Sequence, residues 1–443
     1  MNGLIMAGQL ILGLGILVFI HELGHFLAAR AFGIRVEKFY LFFDAWGVKL
    51  FNLKKGETEY GVGWLPLGGY VKISGMIDES MDAEQMKSEP QPWEFRSKPA
   101  WQRLIVMIAG VVMNVILGIA IYTGNLLYFK KEYLPNAEVS KGIYSYALGQ
   151  ELGLQNGDKI VAIDGKSFER FEELYSTRIL FGATLTVDRA GETKYIEVPE
   201  NFYRKVGASG RWNFIGTGTL QHTIMSVSEN DNAAKAGLKE GDQIVAVNGA
   251  SVQFNDGLRE ILSTKKGGSV QVQVLRSNQT MDYTVDVSEN GTIGIGYQTT
   301  SLVDSAYTLQ PYTFASALSF GTSDAFEALI SNIKGLKQIF AGKEKVSDSV
   351  QGPIGIATIY GATFDWARFW AITGLLSMVL ALMNILPIPA LDGGHVLFLL
   401  IEVVTRRKFS DKFMERTQVV GMVILLTLMV FVLGNDIWKH ILN

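Results

Sequence analysis

Residues 4–32 read LIMAGQLILGLGILVFIHELGHFLAARAF, an almost unbroken apolar run. An apolar run of this length spans a bilayer as a helix. Three ionisable side chains nevertheless stand within five positions of it: His21, Glu22 and His25. Each is costly in hydrocarbon, and such residues within a span mark function. Residues four apart share one face of a helix, so the imidazoles of His21 and His25 reach one ion together. Glu22 lies beside that face, placed to take a proton from a water on that ion. At this chain's own His and Glu frequencies, chance yields H-E-x-x-H on the order of once in a few hundred such sequences. The bland alternative, a purely structural histidine pair, is an expensive way to pack a lipid-embedded helix.

The rest of the chain agrees with a membrane setting. Of its 443 residues 48% are hydrophobic, and the mean hydropathy is positive; a soluble protein rarely reads that way. The net charge of −3 argues against a nucleic-acid partner. There is no cysteine, so a disulfide or thiolate metal site is excluded, and any metal is held by His, Asp or Glu. The histidines number five: His21, His25, His222, His395 and His440.

Three further stretches are long and apolar enough to span: Leu104 to Phe129, Phe369 to Leu386, and Val419 to Ile437. A shorter one, His395 to Val404, is not. The first span lacks a basic leader and a small-residue cleavage site, so it does not read as a cleavable signal peptide. No Lys or Arg precedes His21, whereas Arg30, Arg35, Lys38, Lys49, Lys54 and Lys55 follow it. The loop before the last span holds Arg406, Arg407, Lys408, Lys412 and Arg416. The positive-inside rule puts both loops in the cytoplasm, with the termini and the long middle segment outside.

That middle segment contains a repeat. LGLQNGDKIVAIDGK (Leu152 to Lys166) returns as AGLKEGDQIVAVNGA (Ala236 to Ala250), and each copy predicts a Gly-Asp turn, a short strand and a hairpin closed by Asp-Gly or Asn-Gly. The pattern resembles the PDZ domain, which implies a groove that accepts an added strand; two generic β modules are the bland alternative. The pair either grips peptide or screens by size. Beyond it, Thr313 to Phe340 reads as an amphipathic helix, a strut on the membrane surface.

Catalytic zinc usually takes three protein ligands and keeps one open position. The third ligand expected is Asp392, in Asn384-Ile385-Leu386-Pro387-Ile388-Pro389-Ala390-Leu391-Asp392-Gly393-Gly394. Leu4 to His21 is about 25 Å of helix, and Trp370 to Leu386 covers a similar depth. Pro387 and Pro389 then break the helix, so Asp392 reaches the level of the histidines, near the cytoplasmic third of the bilayer. His395 is a rival ligand; its bland reading is the start of an interfacial helix.

HELGH in the first span, two PDZ-like repeats and NILPIPALDGG after the third span, in this order, together resemble the site-2 protease family. LPLGGYVKI (Leu65 to Ile73), GPIGIA (Gly352 to Ala357) and LDGGHVLF (Leu391 to Phe398) add to the likeness, which covers essentially the whole chain. The resemblance implies a zinc metalloendopeptidase of the bacterial inner membrane that cuts the spans of single-pass membrane proteins, such as an anti-sigma factor already trimmed outside. It implies His21, His25 and Asp392 as zinc ligands, Glu22 as the base, and Asn384, Pro387 and Pro389 along the substrate path. Two stretches depart from the family. Leu41-Phe42-Phe43-Asp44 stands where Gly-x-Gly is common, and Gly110-Val111-Val112-Met113-Asn114 where Gly-Pro-x-x-Asn is.

The fold class expected is therefore a polytopic α-helical membrane protein of four spans, with two external PDZ-like α/β modules and a β-hairpin on the cytoplasmic side. The parts expected are a first membrane part (1–129), two modules (130–217 and 218–302), a helical linker (303–365) and a second membrane part (366–443). The hairpin is read at Glu57 to Ser74. It dips into the membrane, and the edge residues Tyr70 and Lys72 pair with an unwound substrate. A catalytically silent membrane scaffold is the competing class, but such a relative would have lost a ligand or the base. A metal transporter would need polar residues along a whole path, and the second and fourth spans are nearly free of them.

Overall fold

The computed structural model describes residues 2–66, 68–76, 89–140, 142–209, 214–216, 220–228, 231–252, 257–277, 279–301 and 308–439. The chain divides into two units, Met1–Lys131 with Tyr312–Asn443, and Glu132–Pro311. The module boundaries expected at 217/218 and 302/303 fall outside the described residues.

In the first unit seven helices matter: α1 (Asn2–Ala31), α2 (Ala100–Tyr128), α3 (Phe314–Phe340), α4 (Pro353–Tyr360), α5 (Trp366–Ile385), α6 (Asp392–Thr405) and α7 (Asp411–Ile437). Four of them, α1, α2, α5 and α7, are long and apolar enough to cross a membrane. They coincide with the four spans read from the sequence to within several residues at each end, and this is a membrane protein. Their ends follow local chemistry. Pro99 precedes α2, and the Asp365 carboxylate caps α5 by accepting from the N–H groups of Ala367 (2.8 Å) and Arg368 (3.1 Å). Small residues set the crossings, as is usual where helices meet in lipid. A Cβ on Gly24 of α1 would lie 2.4 Å from the Ala109 carbonyl oxygen of α2, and one on Gly374 of α5 would lie 2.9 Å from Ile121. The exposed side chains of α7, among them Val420, Val423, Ile424 and Val430, are apolar and face lipid in a bilayer.

The helix read at Thr313 to Phe340 is α3, with Thr313 as its N-cap: its Oγ accepts from the Ser316 N–H (3.2 Å), and the Ser316 Oγ from the Thr313 N–H (2.9 Å). It packs on α2 and α5, burying Ala317, Gly321 and Ala325, and so folds with the span helices.

Between α1 and α2 lies a four-stranded sheet of β1 (Val36–Leu41), β2 (Lys49–Lys55), β3 (Thr58–Gly63) and β4 (Tyr70–Ile73), in the order β2-β3-β1-β4. The hairpin expected across Glu57 to Ser74 does not form. Strand β1 sits between β3 and β4, parallel to the first and antiparallel to the second. The hairpin present is β2–β3. Sequence neighbours pair by default, but β1 carries the apolar face of this sheet. Val36 and Phe39 are buried in one cluster with Val71 and Ile73, and Phe39 is edge-on to Phe19 and Phe26 of α1. Pairing on both its sides buries that face, which a free-standing hairpin cannot do. Strand β4 thereby becomes an edge of the sheet, as does β2.

The second unit holds the repeat. The first copy builds β5 (Lys159–Ile163), β6 (Ala183–Arg189) and β7 (Glu192–Val198), paired antiparallel in that order over a core that includes Leu154, Ile163, Leu185 and Phe202. The second builds β8 (Leu220–Val227), β9 (Gln243–Val247), β10 (Ser269–Arg276), β11 (Gln279–Asp286) and β12 (Ile295–Ser301), in the order β11-β10-β9-β8-β12. The two copies share their internal chemistry. Asp158 and Asp242, each about 1% exposed, accept bidentate hydrogen bonds from Arg189 and Arg276. The same two guanidiniums also donate to the carbonyls of Gly153 and Gly237. Asp164-Gly165 and Asn248-Gly249 all have positive φ, as the primed turns of tight hairpins require.

Candidate active site

The site forms where α1, α2 and the start of α6 meet. His21 and His25, one turn apart on α1, are 7% and 6% exposed. The Nδ1 of His25 lies 2.8 Å from the Val106 carbonyl oxygen of α2. A carbonyl only accepts, so this nitrogen carries the proton, and in the neutral ring Nε2 keeps a free lone pair. That Nε2 is 3.2 Å from Nε2 of His21.

Asp392 arrives at the same point from the N-terminus of α6, where the helix dipole favours a carboxylate. The loop Leu386–Leu391 delivers it, turning through Ala390 at φ +78°, a conformation that costs a non-glycine residue of order 1 kcal/mol. Its neighbours leave the loop little freedom. A Cβ on Gly393 would lie 2.1 Å from the Leu386 carbonyl oxygen, and one on Gly421 of α7 would lie 1.9 Å from that of Pro389. At the other end of α6, Glu402 accepts from Arg103 of α2 at 2.5 Å.

Asp392 Oδ2 stands 3.0 Å from the Nε2 of His21 and 3.3 Å from that of His25. It is buried and accepts no hydrogen bond from either ring. Three potential ligand atoms thus form a triangle with edges of 3.0, 3.2 and 3.3 Å. Three vertices of a tetrahedron around zinc, at bond lengths of 2.0–2.1 Å, are about 3.3 Å apart. Donor types, spacing and the unbonded buried oxygen all fit a zinc ion. Among the described residues this is the one such cluster of three His, Asp or Glu side chains.

The other predicted residues divide. Glu22 is half-buried beside His21. Asn384, at the end of α5, brings its amide nitrogen 3.2 Å from His21 Nε2, at the rim of the triangle. Pro387 and Pro389 lie in the loop before Asp392; the first is exposed and the second half-buried. Tyr70 and Lys72 lie on β4. Tyr70 donates to Asp44 (2.9 Å) and stacks on Tyr40 and Phe43, and Lys72 pairs with Glu37 at 3.4 Å. His395 is not among the converging atoms. It lines a separate cavity of about 70 Å³ with Arg96, Arg103 and Glu402.

Sequence reasoning missed what supports the three converging side chains. A Cβ on Gly110 would lie 2.4 Å from His25 Nε2 and 2.7 Å from His21 Cε1, so only glycine lets α2 approach both rings. Asn114, one turn on, faces His21 Nδ1 at 3.1 Å. Their spacing in the second span was the available signal. Asp436 of α7 was also not singled out. Its buried carboxylate accepts from the N–H groups of Gly352, Ile354 and Gly355, tying the last span to the start of α4.

The comparison with known proteins agrees with this geometry. A family profile described as peptidase family M50 matches residues 9–428. The chain is 29% identical to the regulator of sigma E protease of Haemophilus influenzae, over 97% of this chain and 98% of the relative. A protein of Vibrio cholerae whose name carries the words zinc metalloprotease is 28% identical, over 96% of this chain and 97% of the relative. A protein of Clostridium perfringens with the same words in its name is 27% identical, over 96% and 97%. With a family match across nearly its whole length, this chain belongs to peptidase family M50, the site-2 proteases, and is a zinc metalloprotease of the membrane.

Proposed function

We propose that this chain is an intramembrane endopeptidase that hydrolyses peptide bonds within the spans of single-pass membrane proteins, with His21, His25 and Asp392 as the zinc ligands. The observation that carries the reading is the triangle itself, two of whose corners, His21 and His25, stand on a helix long and apolar enough to cross a membrane. A protease of soluble substrates has no reason to sink its ligands there.

Zinc, when bound, acidifies a water and polarises the scissile carbonyl. Glu22 is the general base: it takes the proton of the attacking water and delivers it to the departing amine. Asn384, at the rim of the triangle, orients the substrate amide, and Pro387 and Pro389 shape the path by which the unwound segment enters. Gly110 and the glycines around the Asp392 loop hold the three ligands close enough to share one ion.

A helical substrate hides its carbonyls in internal hydrogen bonds, and the groups freed by unwinding need new partners in lipid. Strand β4, at the edge of its sheet and packed near α1, offers them at Tyr70 and Lys72. At the other edge, the exposed Leu50, Phe51 and Leu53, beside Trp46 stacked on Trp64, support a sheet that dips into the membrane interface. In this reading the basic loops face the cytoplasm of a bacterial inner membrane, and the termini and the two modules face the periplasm. The modules are PDZ-like and grip or screen a substrate trimmed outside, of the anti-sigma-factor type. The name of the Haemophilus relative supports that class.

The direct test incubates the purified protein in detergent with a tagged single-span substrate and maps the products by mass spectrometry. Cleavage inside the span, abolished by a zinc chelator, is the expected result. Cleavage confined to the flanking soluble segments would overturn the reading.

A further inference from the structure

One face of α2 supplies a second layer behind the ligands. Val106, Gly110 and Asn114 recur every four residues and so lie in one row. The Val106 carbonyl fixes the His25 ring, and Gly110 makes room for both rings. Asn114 remains. It is fully buried, and its backbone oxygen accepts from Ser377 Oγ of α5 at 2.8 Å, which fixes its place between the two spans.

As placed, the Asn114 Nδ2 lies 3.1 Å from His21 Nδ1, while its Oδ1 is buried without a partner. The two ends of a carboxamide have the same shape, so hydrogen bonding decides between them. His21 Nε2 faces Asp392 Oδ2 and His25 Nε2 at 3.0 and 3.2 Å. To bind a cation in the triangle it must present a lone pair, which leaves the ring proton on Nδ1. Opposite that N–H an acceptor is needed. Turning the amide over puts Oδ1 there and satisfies the orphaned oxygen with the same hydrogen bond.

We propose that Asn114 is a positioning residue of the metal centre: its side-chain oxygen accepts from His21 Nδ1–H and holds that ring in the tautomer and orientation that direct Nε2 at the ion. The proposal rests on the reading of His21, His25 and Asp392 as ligands. The two imidazoles are then held differently, His25 by a backbone carbonyl that no substitution removes, and His21 by a replaceable side chain.

The test measures zinc affinity of the full-length protein in detergent, by competition with a chelating dye, for the wild type and for Asn114→Leu, Asn114→Asp and His21→Ala. Leucine keeps the volume and removes the acceptor, and the affinity is expected to fall about 10- to 100-fold, the usual effect of losing such a partner. Aspartate keeps an acceptor oxygen, and its affinity is expected within severalfold of wild type. In the His21→Ala background, Asn114→Leu is expected to add no further loss. If the leucine variant fails to fold, Asn114→Ala is read the same way. Equal affinity of wild type and the leucine variant would overturn the proposal while leaving the ligand assignment standing, and an aspartate variant as weak as leucine would reduce Asn114 to packing. A wild type that binds no zinc, or a His21→Ala variant as tight as wild type, would overturn the ligand assignment itself.

Discussion

Gly110 stands directly against His25: a Cβ at that position would fall 2.4 Å from the imidazole Nε2 that faces Asp392. The atom in the way belongs to a ring already fixed by Val106, so it cannot step aside cheaply. Gly110→Ala is therefore expected to push the ligands apart. Misplacing reacting groups by about 1 Å costs on the order of 100-fold in rate, and zinc content should fall with it. Proteolysis of a tagged substrate and metal analysis of the purified variant check this. Wild-type values for both would mean that α2 does not set the ligand spacing.

The convergence of His21, His25 and Asp392 was legible because it obeys local rules: i, i+4 spacing on α1, and a proline break that brings Asp392 back to the histidines. The four spans were legible from length and hydropathy. The sheet was not. Whether β3 pairs with β4 or with β1 depends on which apolar face α1 covers, a tertiary fact that alternation in Thr58 to Ile73 does not contain. Helix α4 was missed for a related reason. It is eight residues long, and its N-terminus is capped from a distance by Asp436. Asn114 stood in a recognised stretch, but its role depends on a contact with a side chain of another helix.

The second module is expected to lose stability on the acid side. Burial pushes the Asp242 carboxyl up, but the Arg276 guanidinium, with the Lys239 N–H, more than reverses this and holds it below the usual range. A carboxylate depressed on folding adds stability above its unfolded value of about 3.9, and loses it as pH falls through the folded value. Arg276→Met removes the partner and leaves a buried charge. It is expected to cost about 2 kcal/mol near neutral pH, less than a fully buried pair because Arg276 is partly exposed. Hydrogen exchange across Gln243–Val247 and Ser269–Arg276 reads both effects. Unchanged protection in the variant would show that the pair is dispensable.

Strand β4 pairs only with β1 within its sheet, and proline there removes a backbone donor. Proline at Tyr70 or Lys72 is expected to slow cleavage of a helical span at least tenfold, with zinc content unchanged. A span carrying Gly or Pro should lose less than a poly-Leu span, since less helix must be unwound. Unchanged cleavage across a proline scan of residues 70–73 would remove β4 from substrate binding.

His21, His25 and Asp392 on one side and Glu22 on the other are expected to have separate tasks, metal binding and proton transfer. Zinc stoichiometry, measured beside cleavage of a single-span substrate for the wild type, Glu22→Gln and Asp392→Ala, separates the two tasks. The expected result is one zinc per chain in the wild type and in Glu22→Gln, with cleavage in the glutamine variant reduced to less than about 1%, since a positioned acid–base group contributes 10²–10⁴-fold. Asp392→Ala should lose both zinc and activity. Cleavage by Glu22→Gln at wild-type rate, or full zinc occupancy in Asp392→Ala, would overturn this division of tasks.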